Sequence, residues 1–343
     1  MSVHATTRPI PLISAIIRAS DCPDAILPTL ESLHAQSLEP GRFQVVVVDD
    51  GCHDEAWAEI EIATANLGFR SATRESGMGV GWRGRGLSLA RSPIVLFIEE
   101  HEVLNPVCLE EHYRAHQAYP QPEVAVLGYT APGGEAERSP LTRYLADADW
   151  RCLCCDDTFG LCAAAGGFGC SGRLPSFKRL YLRDHGGFDP LFSVGHQPCE
   201  LVFRLSRGAL RVVRASGANS LLIHPRDFEE VCTQCYSQGH ADWLLARLYP
   251  DQDASGWVSL DGVESEWKAI EPLFPSVMKS ARELDRFARE RCRADLPLDD
   301  LTTRLLHRAY AAALRANRIR GVRDAMSEPV LDSTRLGSHR PEG

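Results

Sequence analysis

The sequence predicts an α/β fold built on a mostly parallel sheet with helices on both faces. Three observations predict it. Short apolar runs alternate with segments of helical spacing. The runs are rich in β-branched residues and apolar on both faces, as in strands covered from both sides. Two of them end in acidic pairs, and ligands of such sheets bind at the carboxyl ends of the strands. Leu12 to Ile17 is the first run. Asp24 to Gln36 follows as a helix, with Ile26, Leu27, Leu30 and Leu33 at helical spacing. Phe43 to Val48 is a second strand ending in Asp49-Asp50-Gly51, and Asp54 to Leu67 is a helix. A glycine-rich stretch, Gly77 to Gly86, leads into a helix over Leu87 to Arg91. Ile94 to Ile98 is a third buried strand, ending in Glu99-Glu100-His101. Asn105-Pro106 opens a helix near residue 107, and Val124 to Gly128 is a further strand.

The middle is less regular. Pro132-Gly133-Gly134 reads as a loop, and residues 150–175 are rich in Cys and Gly without a period. A short helix and the turn Gly186-Gly187-Phe188-Asp189 occupy 176–192. Glu200 to Arg207 reads as a helix, and Leu210 to Val213 and Leu221 to Ile223 as two strands. Signals after residue 226 are mainly helical, and the end is rich in Pro, Gly, Ser and charge. The expected organisation is an α/β domain over 1–225, a helical region over 226–325 and a tail over 326–343.

The 343 residues carry 37 Lys or Arg against 46 Asp or Glu, a formal net charge of −9. That balance argues against bulk nucleic-acid binding. The negative excess is confined to residues 1–280; from 281 onward 13 Arg face 10 acids. No run is long enough to span a bilayer, and the Ile10 to Ile17 run reads as a strand rather than a signal peptide, so a cytoplasmic location is expected. The 12 cysteines are too sparse for a disulfide scaffold and fit a reduced chain. Only Cys232 and Cys235 have zinc-like spacing, with His240 nearby; buried thiols are the plainer account of these and of the 152–170 cluster.

Six segments in order resemble the family 2 glycosyltransferases, which have the GT-A fold. They are ISAIIRASDCPDAILPTLESLHAQS, VVVVDDGCHD, Trp82-Arg83-Gly84-Arg85-Gly86, IVLFIEEH, Ser176 to Arg179 with Gly186 to Asp189, and Glu200 to Leu205. The resemblance spans about residues 10 to 225. It implies a GT-A (Rossmann-like) mixed sheet and transfer of a sugar from a UDP-type nucleotide sugar to an unknown acceptor, with inversion, as in hexosyltransferases of bacterial type. It also implies donor binding by Asp50 at the base, by Asp21 and Asp49 beside it, and by Glu99 at the position of the Asp-x-Asp metal motif. A plain strand-to-helix turn is the other reading of Asp49-Asp50-Gly51.

A diphosphate leaving group needs positive charge. One source is Mn²⁺ or Mg²⁺ held by Glu99, His101 and His224; His101 favours Mn²⁺ over Mg²⁺. The equal alternative is a metal-independent site in which Arg83, Arg85 or Lys178 neutralises the diphosphate. Where inverting relatives carry Glu-Asp, with Asp as the base, this chain has Gln197-Pro198, and neither takes a proton. His196 and Glu200 are the substitute bases; Glu200 can instead pair with Arg204 four residues on. The altered motifs keep two rivals open: a catalytically inactive GT-A binding or partner subunit, and a GT-A scaffold running other chemistry. Leu301 to Arg323 has six Arg and no carboxylate, with an apolar stripe at Leu301, Leu305, Ala309 and Ala313. Leu306, Tyr310 and Leu314 flank that stripe. The helix suits packing on its own domain, or docking on a membrane surface, an acidic partner or another subunit.

Overall fold

The computed structural model describes residues 10–20, 23–69, 72–73, 81–147, 174–192, 196–250, 254–258 and 260–328. Asp21, most of the glycine-rich 77–81 run, the 152–170 cysteine cluster and the tail beyond 328 lie outside the described residues. The chain divides into two compact units, Met1–Arg138 with Leu145–Pro225, and Ser139–Tyr144 with Arg226–Gly343.

Among the described residues, the first unit holds one sheet of eight strands. Its elements are β1 (Ile13–Ala19), α1 (Pro23–His34), β2 (Phe43–Asp49), α2 (Asp54–Asn66), β3 (Ala72–Thr73), α3 (Gly81–Leu89), β4 (Ile94–Ile98), β5 (Glu102–Leu104), α4 (Cys108–Ala118) and β6 (Val124–Pro132). After α5 (Glu135–Arg138) and α6 (Pro140–Asp147) come β7 (Pro175–Lys178), α7 (Arg179–Asp184), α8 (Gln197–Ser206) and β8 (Arg211–Leu222). The strand order is β3-β2-β1-β4-β7-β6-β8-β5. β1 is central to the parallel half, flanked by β2 and β4, and β7 enters antiparallel between β4 and β6. This is a mixed, mostly parallel sheet flanked by helices.

Burial explains why the parallel half forms. Ile13, Ile16, Ile17, Leu96 and Ile98 are fully buried, and α1 adds Ile26, Leu30 and Leu33. Gln36 fastens the end of α1 to the start of α4: its Nε2 donates to Asn105 O (2.8 Å) and its Oε1 accepts from Leu109 N (3.0 Å). α3 starts at Gly81, six residues before the predicted Leu87. It lies so close to β1 that a Cβ on Gly86 would stand 2.1 Å from Ile16 Cγ2. The two short strands predicted over 210–223 are one strand, β8, of 12 residues. Its middle, Arg214 to Ser220, is mostly small and polar, and its buried positions are Ala215, Ala218 and Ser220, which hides it from a search for apolar runs.

The second unit is helical: α9 (Phe228–Leu248), α10 (Ala254–Trp257), α11 (Val263–Ile270), α12 (Phe274–Arg293) and α13 (Asp300–Ser327). Asp227 caps α9 through Glu229 N and Glu230 N, and Asp299 caps α13 through Thr302 N. The buried stripe of α13 is Leu306, Tyr310, Ala313, Leu314, Asn317 and Gly321. Leu301 and Leu305, predicted to belong to it, are 61% and 46% exposed. Part of the arginine face is used internally: Arg318 holds the buried Asp242 (2.7 Å), and Arg320 lies over the Tyr236 and Phe274 rings. Cys232 and Cys235 are buried thiols. Burial pushes the Cys232 thiol up to about 12, which disfavours the thiolate a metal requires. Among the described residues, no helix is long and apolar enough to cross a membrane.

Candidate functional site

The register of the parallel half sets the site. Ala19 pairs with Asp49 and Ile17 with Ile98, so the carboxyl ends of β1, β2 and β4 lie within two residues of one another. The residues at and just past those ends are Arg18 and Ser20, Asp49 and Asp50, and Glu99 and Glu100. Asp49 builds the turn: its Oδ1 accepts from Gly51 N (2.9 Å) and Cys52 N (2.7 Å). Gly51, at φ 106°, supplies the left-handed backbone that the turn needs. Asp50 is thereby placed beside β1, where its backbone N–H donates to Ala19 O (2.9 Å) and its Oδ2 accepts from Arg18 Nε (2.7 Å).

Glu99 lies between two guanidiniums. Arg83 Nη2 donates to its Oε1 at 2.6 Å, and Arg18 Nη1 stands 3.9 Å from its Oε2. Arg83 is buried, with its guanidinium carbon 4.2 Å from the Trp82 ring centroid. Glu99 N donates to Glu102 Oε2 (3.1 Å), and Thr130 Oγ1 donates to the other Glu102 oxygen (3.1 Å). Glu100 accepts from Ser20 Oγ at Oε1 (2.7 Å), and its carbonyl accepts from Thr29 Oγ1 (2.8 Å). Its Oε2 is buried without a hydrogen-bond partner among the described residues.

The electrostatics follow from this crowding. Burial raises the Asp50 carboxyl above its ordinary value against the pull of Arg18. Burial raises Glu100 likewise, opposed by the Ser20 hydrogen bond and Arg18. Arg18 is drawn two ways: burial lowers it, but Glu99, Asp50 and Glu100 together leave it raised. The carboxyls of Asp50, Glu99 and Glu100 and the guanidiniums of Arg18 and Arg83 form a polar, partly desolvated cluster suited to a polyhydroxylated or anionic ligand.

Arg18 and Ser20 were not among the residues singled out from the sequence, and Glu100 was named only within the acidic pair that ends β4. Arg18 carried a usable signal: it is the charge that closes the apolar run of β1. Arg85 sits on α3, two residues beyond Arg83, and is half-buried. Lys178 is not brought to this edge, because β7 runs antiparallel and pairs Lys178 with Ile94, at the amino end of β4. There its Nζ donates to Tyr119 O (2.8 Å) and lies 3.2 Å from His116 Nδ1. An ammonium only donates, so His116 Nδ1 accepts. His116 Nε2–H then donates to Ser176 Oγ (2.9 Å), and His112 Nδ1 lies 2.8 Å from the same hydroxyl oxygen.

Burial pushes the His112 imidazole down to about 3, and burial, helped by Lys178 and His112, does the same to His116. Both rings are neutral in the fold, whereas an unfolded His binds a proton near 6.5. Below that pH the unfolded state binds more protons. Stability should therefore fall as pH drops from about 6.5 towards 3, by up to ~1.4 kcal/mol per pH unit for each ring. Denaturant midpoints across that window check this, and His112→Gln should flatten the fall.

The expected metal set is not assembled. Glu99 is engaged by Arg83 and Arg18, the His101 carbonyl accepts from Ile223 N (3.1 Å), and His224 follows at the end of β8. Among the described residues, no three His, Cys, Asp or Glu side chains come together as a metal-binding group. These side chains do not fit a divalent cation: it would have to displace a buried guanidinium from its carboxylate.

Of the two expected bases, Glu200 is fully buried, and Arg204 grips both its oxygens, at 2.6 Å through Nε and 2.8 Å through Nη2. Arg204 also donates to the carbonyls of His185 and Gly187, tying α8 to the turn at 185–187. His196 is buried, and its carbonyl accepts from Cys199 N (3.0 Å) in the first turn of α8. That turn meets the start of α3, since a Cβ on Gly81 would stand 2.8 Å from Gln197 Oε1.

Residues 14–177 match the family model described as Glycosyl transferase family 2. Comparison with curated proteins finds no match. Among solved structures, the mannosyltransferase PcManGT from Pyrobaculum calidifontis, in complex with GDP-Man and Mn2+, is similar with a TM-score of 0.52 at 15% identity, over 90% of this chain and 87% of that one. S. aureus TarS 1-349 in complex with UDP has a TM-score of 0.46 at 17% identity, over 94% of each chain. The chain spans 55% of the length of another S. aureus TarS structure, with a TM-score of 0.45 at 18% identity and 90% of this chain covered. The likeness to PcManGT is one of fold. The chain has the GT-A fold, and within it residues 14–177 are similar to glycosyl transferase family 2.

Proposed function

We propose that the chain transfers a sugar from a nucleotide-sugar donor to an acceptor hydroxyl, with a UDP-type donor and a hexosyl group, and with inversion at the anomeric carbon. The observation that carries this reading is the convergence of Asp50, Glu99 and Arg18 at the carboxyl ends of β1, β2 and β4, with Arg83 reaching in from α3, inside the family 2 region. Asp50 is suited to accept from a base N–H or ribose hydroxyl, and Asp49 holds the turn that presents it. Asp21 remains a proposed wall residue beside it. Arg85 is a second-rank candidate on the diphosphate side. His196 is the better base candidate, because both oxygens of Glu200 are committed to Arg204.

A second reading has its own observation. Gln197-Pro198 replaces the acid pair of inverting relatives, which suits a chain that binds nucleotide sugars without turning them over. The test is thermal shift of the full chain with UDP, GDP and their sugar conjugates, followed by assay of nucleoside diphosphate release. Ligand at about 100 times Kd should add ~2.7 kcal/mol of stability. Stabilisation by no nucleotide would sink both readings. Stabilisation with no release in the presence of diverse acceptors would favour the binding protein.

A further inference from the structure

The strongest disagreement between this site and a cation-dependent one lies at Glu99, and its meaning for a bound diphosphate rests on the nucleotide-sugar reading. The group facing a departing diphosphate must be positive and already in place. Two guanidiniums reach Glu99 from different elements, Arg18 from the end of β1 and Arg83 from the first turn of α3. Arg83 is buried against Trp82 and fixed on Glu99. Its charge cancels that of a carboxylate which would otherwise repel an anion. Arg18 keeps a third of its side chain exposed, and of its N–H groups only Nε–H lies within hydrogen-bond distance of a described acceptor, Asp50. Its Nη groups remain as donors, and a guanidinium fork matches phosphate oxygens.

We infer that Arg18 and Arg83 together replace the divalent cation: Arg83 neutralises Glu99, and Arg18 donates to the diphosphate. In the transfer step the bond from the anomeric carbon to the phosphate oxygen breaks, and its electron pair leaves with the nucleoside diphosphate beside Arg18. The acceptor oxygen bonds to the anomeric carbon, and its proton passes to a base or to water. Arg18 is the contacting residue and Arg83 the positioning one.

Titration calorimetry of the full chain with UDP and GDP, in EDTA and in saturating Mn²⁺, tests this. The expected affinity is the same in both. Arg18→Ala should weaken binding by roughly tenfold or more, the loss of a charge-assisted hydrogen bond, with partial recovery in Arg18→Lys. Arg83→Ala exposes the Glu99 charge, so its binding should weaken and become responsive to Mn²⁺, which a merely structural role would not produce. Binding that weakens at least about tenfold in EDTA and returns with Mn²⁺, an energy of ~1.4 kcal/mol, would overturn the inference while leaving the nucleotide-sugar reading intact. So would an Arg18→Ala chain that binds like the unaltered one. Binding of neither nucleotide under either condition would overturn both.

Discussion

Glu200→Ala should destabilise the chain by about 3–5 kcal/mol, the cost of removing one partner of a buried ion pair. Glu200 has no exposed side-chain surface, and Arg204 spends two of its donors on it. Without the carboxylate, Arg204 stays beside the carbonyls of His185 and Gly187 with its charge uncompensated. The turn at 185–187 and the first turn of α8 should both loosen. Glu200→Gln should cost less, since an amide oxygen still accepts one hydrogen bond. Denaturant unfolding of both variants gives the two costs. A catalytic role for Glu200 predicts another pattern: little change in stability, and loss of turnover in both variants.

Gly321→Ala and Gly239→Ala should each destabilise the helical unit by about 3 kcal/mol, at the upper end for overpacking. A Cβ on Gly321 would stand 1.9 Å from Tyr236 O, and one on Gly239 would stand 2.0 Å from Arg318 O. The obstacle is backbone in both cases, so no side-chain rotation relieves it and α9 and α13 must separate. Alanine gains only ~1 kcal/mol of helix propensity over glycine, too little to offset this. The double variant should cost less than the sum, because helices already parted by one methyl admit the second more cheaply. Equilibrium unfolding of the singles and the double checks the sign of that coupling.

The parallel half was legible in the sequence because its strands are buried on both faces and read as uninterrupted apolar runs. β2 and β4 were predicted to within a residue or so for that reason. β5 has three residues and β7 four, too short to show a period. β8 carries small and polar residues in its middle even at its buried positions, so its apolar ends looked like two strands. The stripe of α13 differs at its start: Leu301 and Leu305 are exposed and the flanking Leu306 and Tyr310 are buried, while Ala313 is buried as expected, because Leu305 and Leu306 are equally apolar and only packing chooses between them.

The site was half legible. Asp50, Arg83 and Glu99 were named from their places in the resembling motifs, and they are neighbours here. Lys178 was named in the same way and stands at the far end of β4, because strand direction in the second half of the sheet is not written in a motif. Arg18 was missed because it reads locally as a residue at the edge of an apolar run, and Glu100 was read only as half of the acidic pair that ends β4. Their significance comes from three strands ending within two residues of one another, which is a property of register.

The central claim is that the carboxyl ends of β1, β2 and β4 hold a nucleoside diphosphate. A crystal structure of the full chain with UDP tests it most directly. The account predicts the diphosphate against the Nη groups of Arg18, the base or ribose on Asp50, and Glu99 still paired with Arg83. A nucleotide bound elsewhere, or one bound at this edge with Asp50 and Arg18 making no contact to it, would contradict the account.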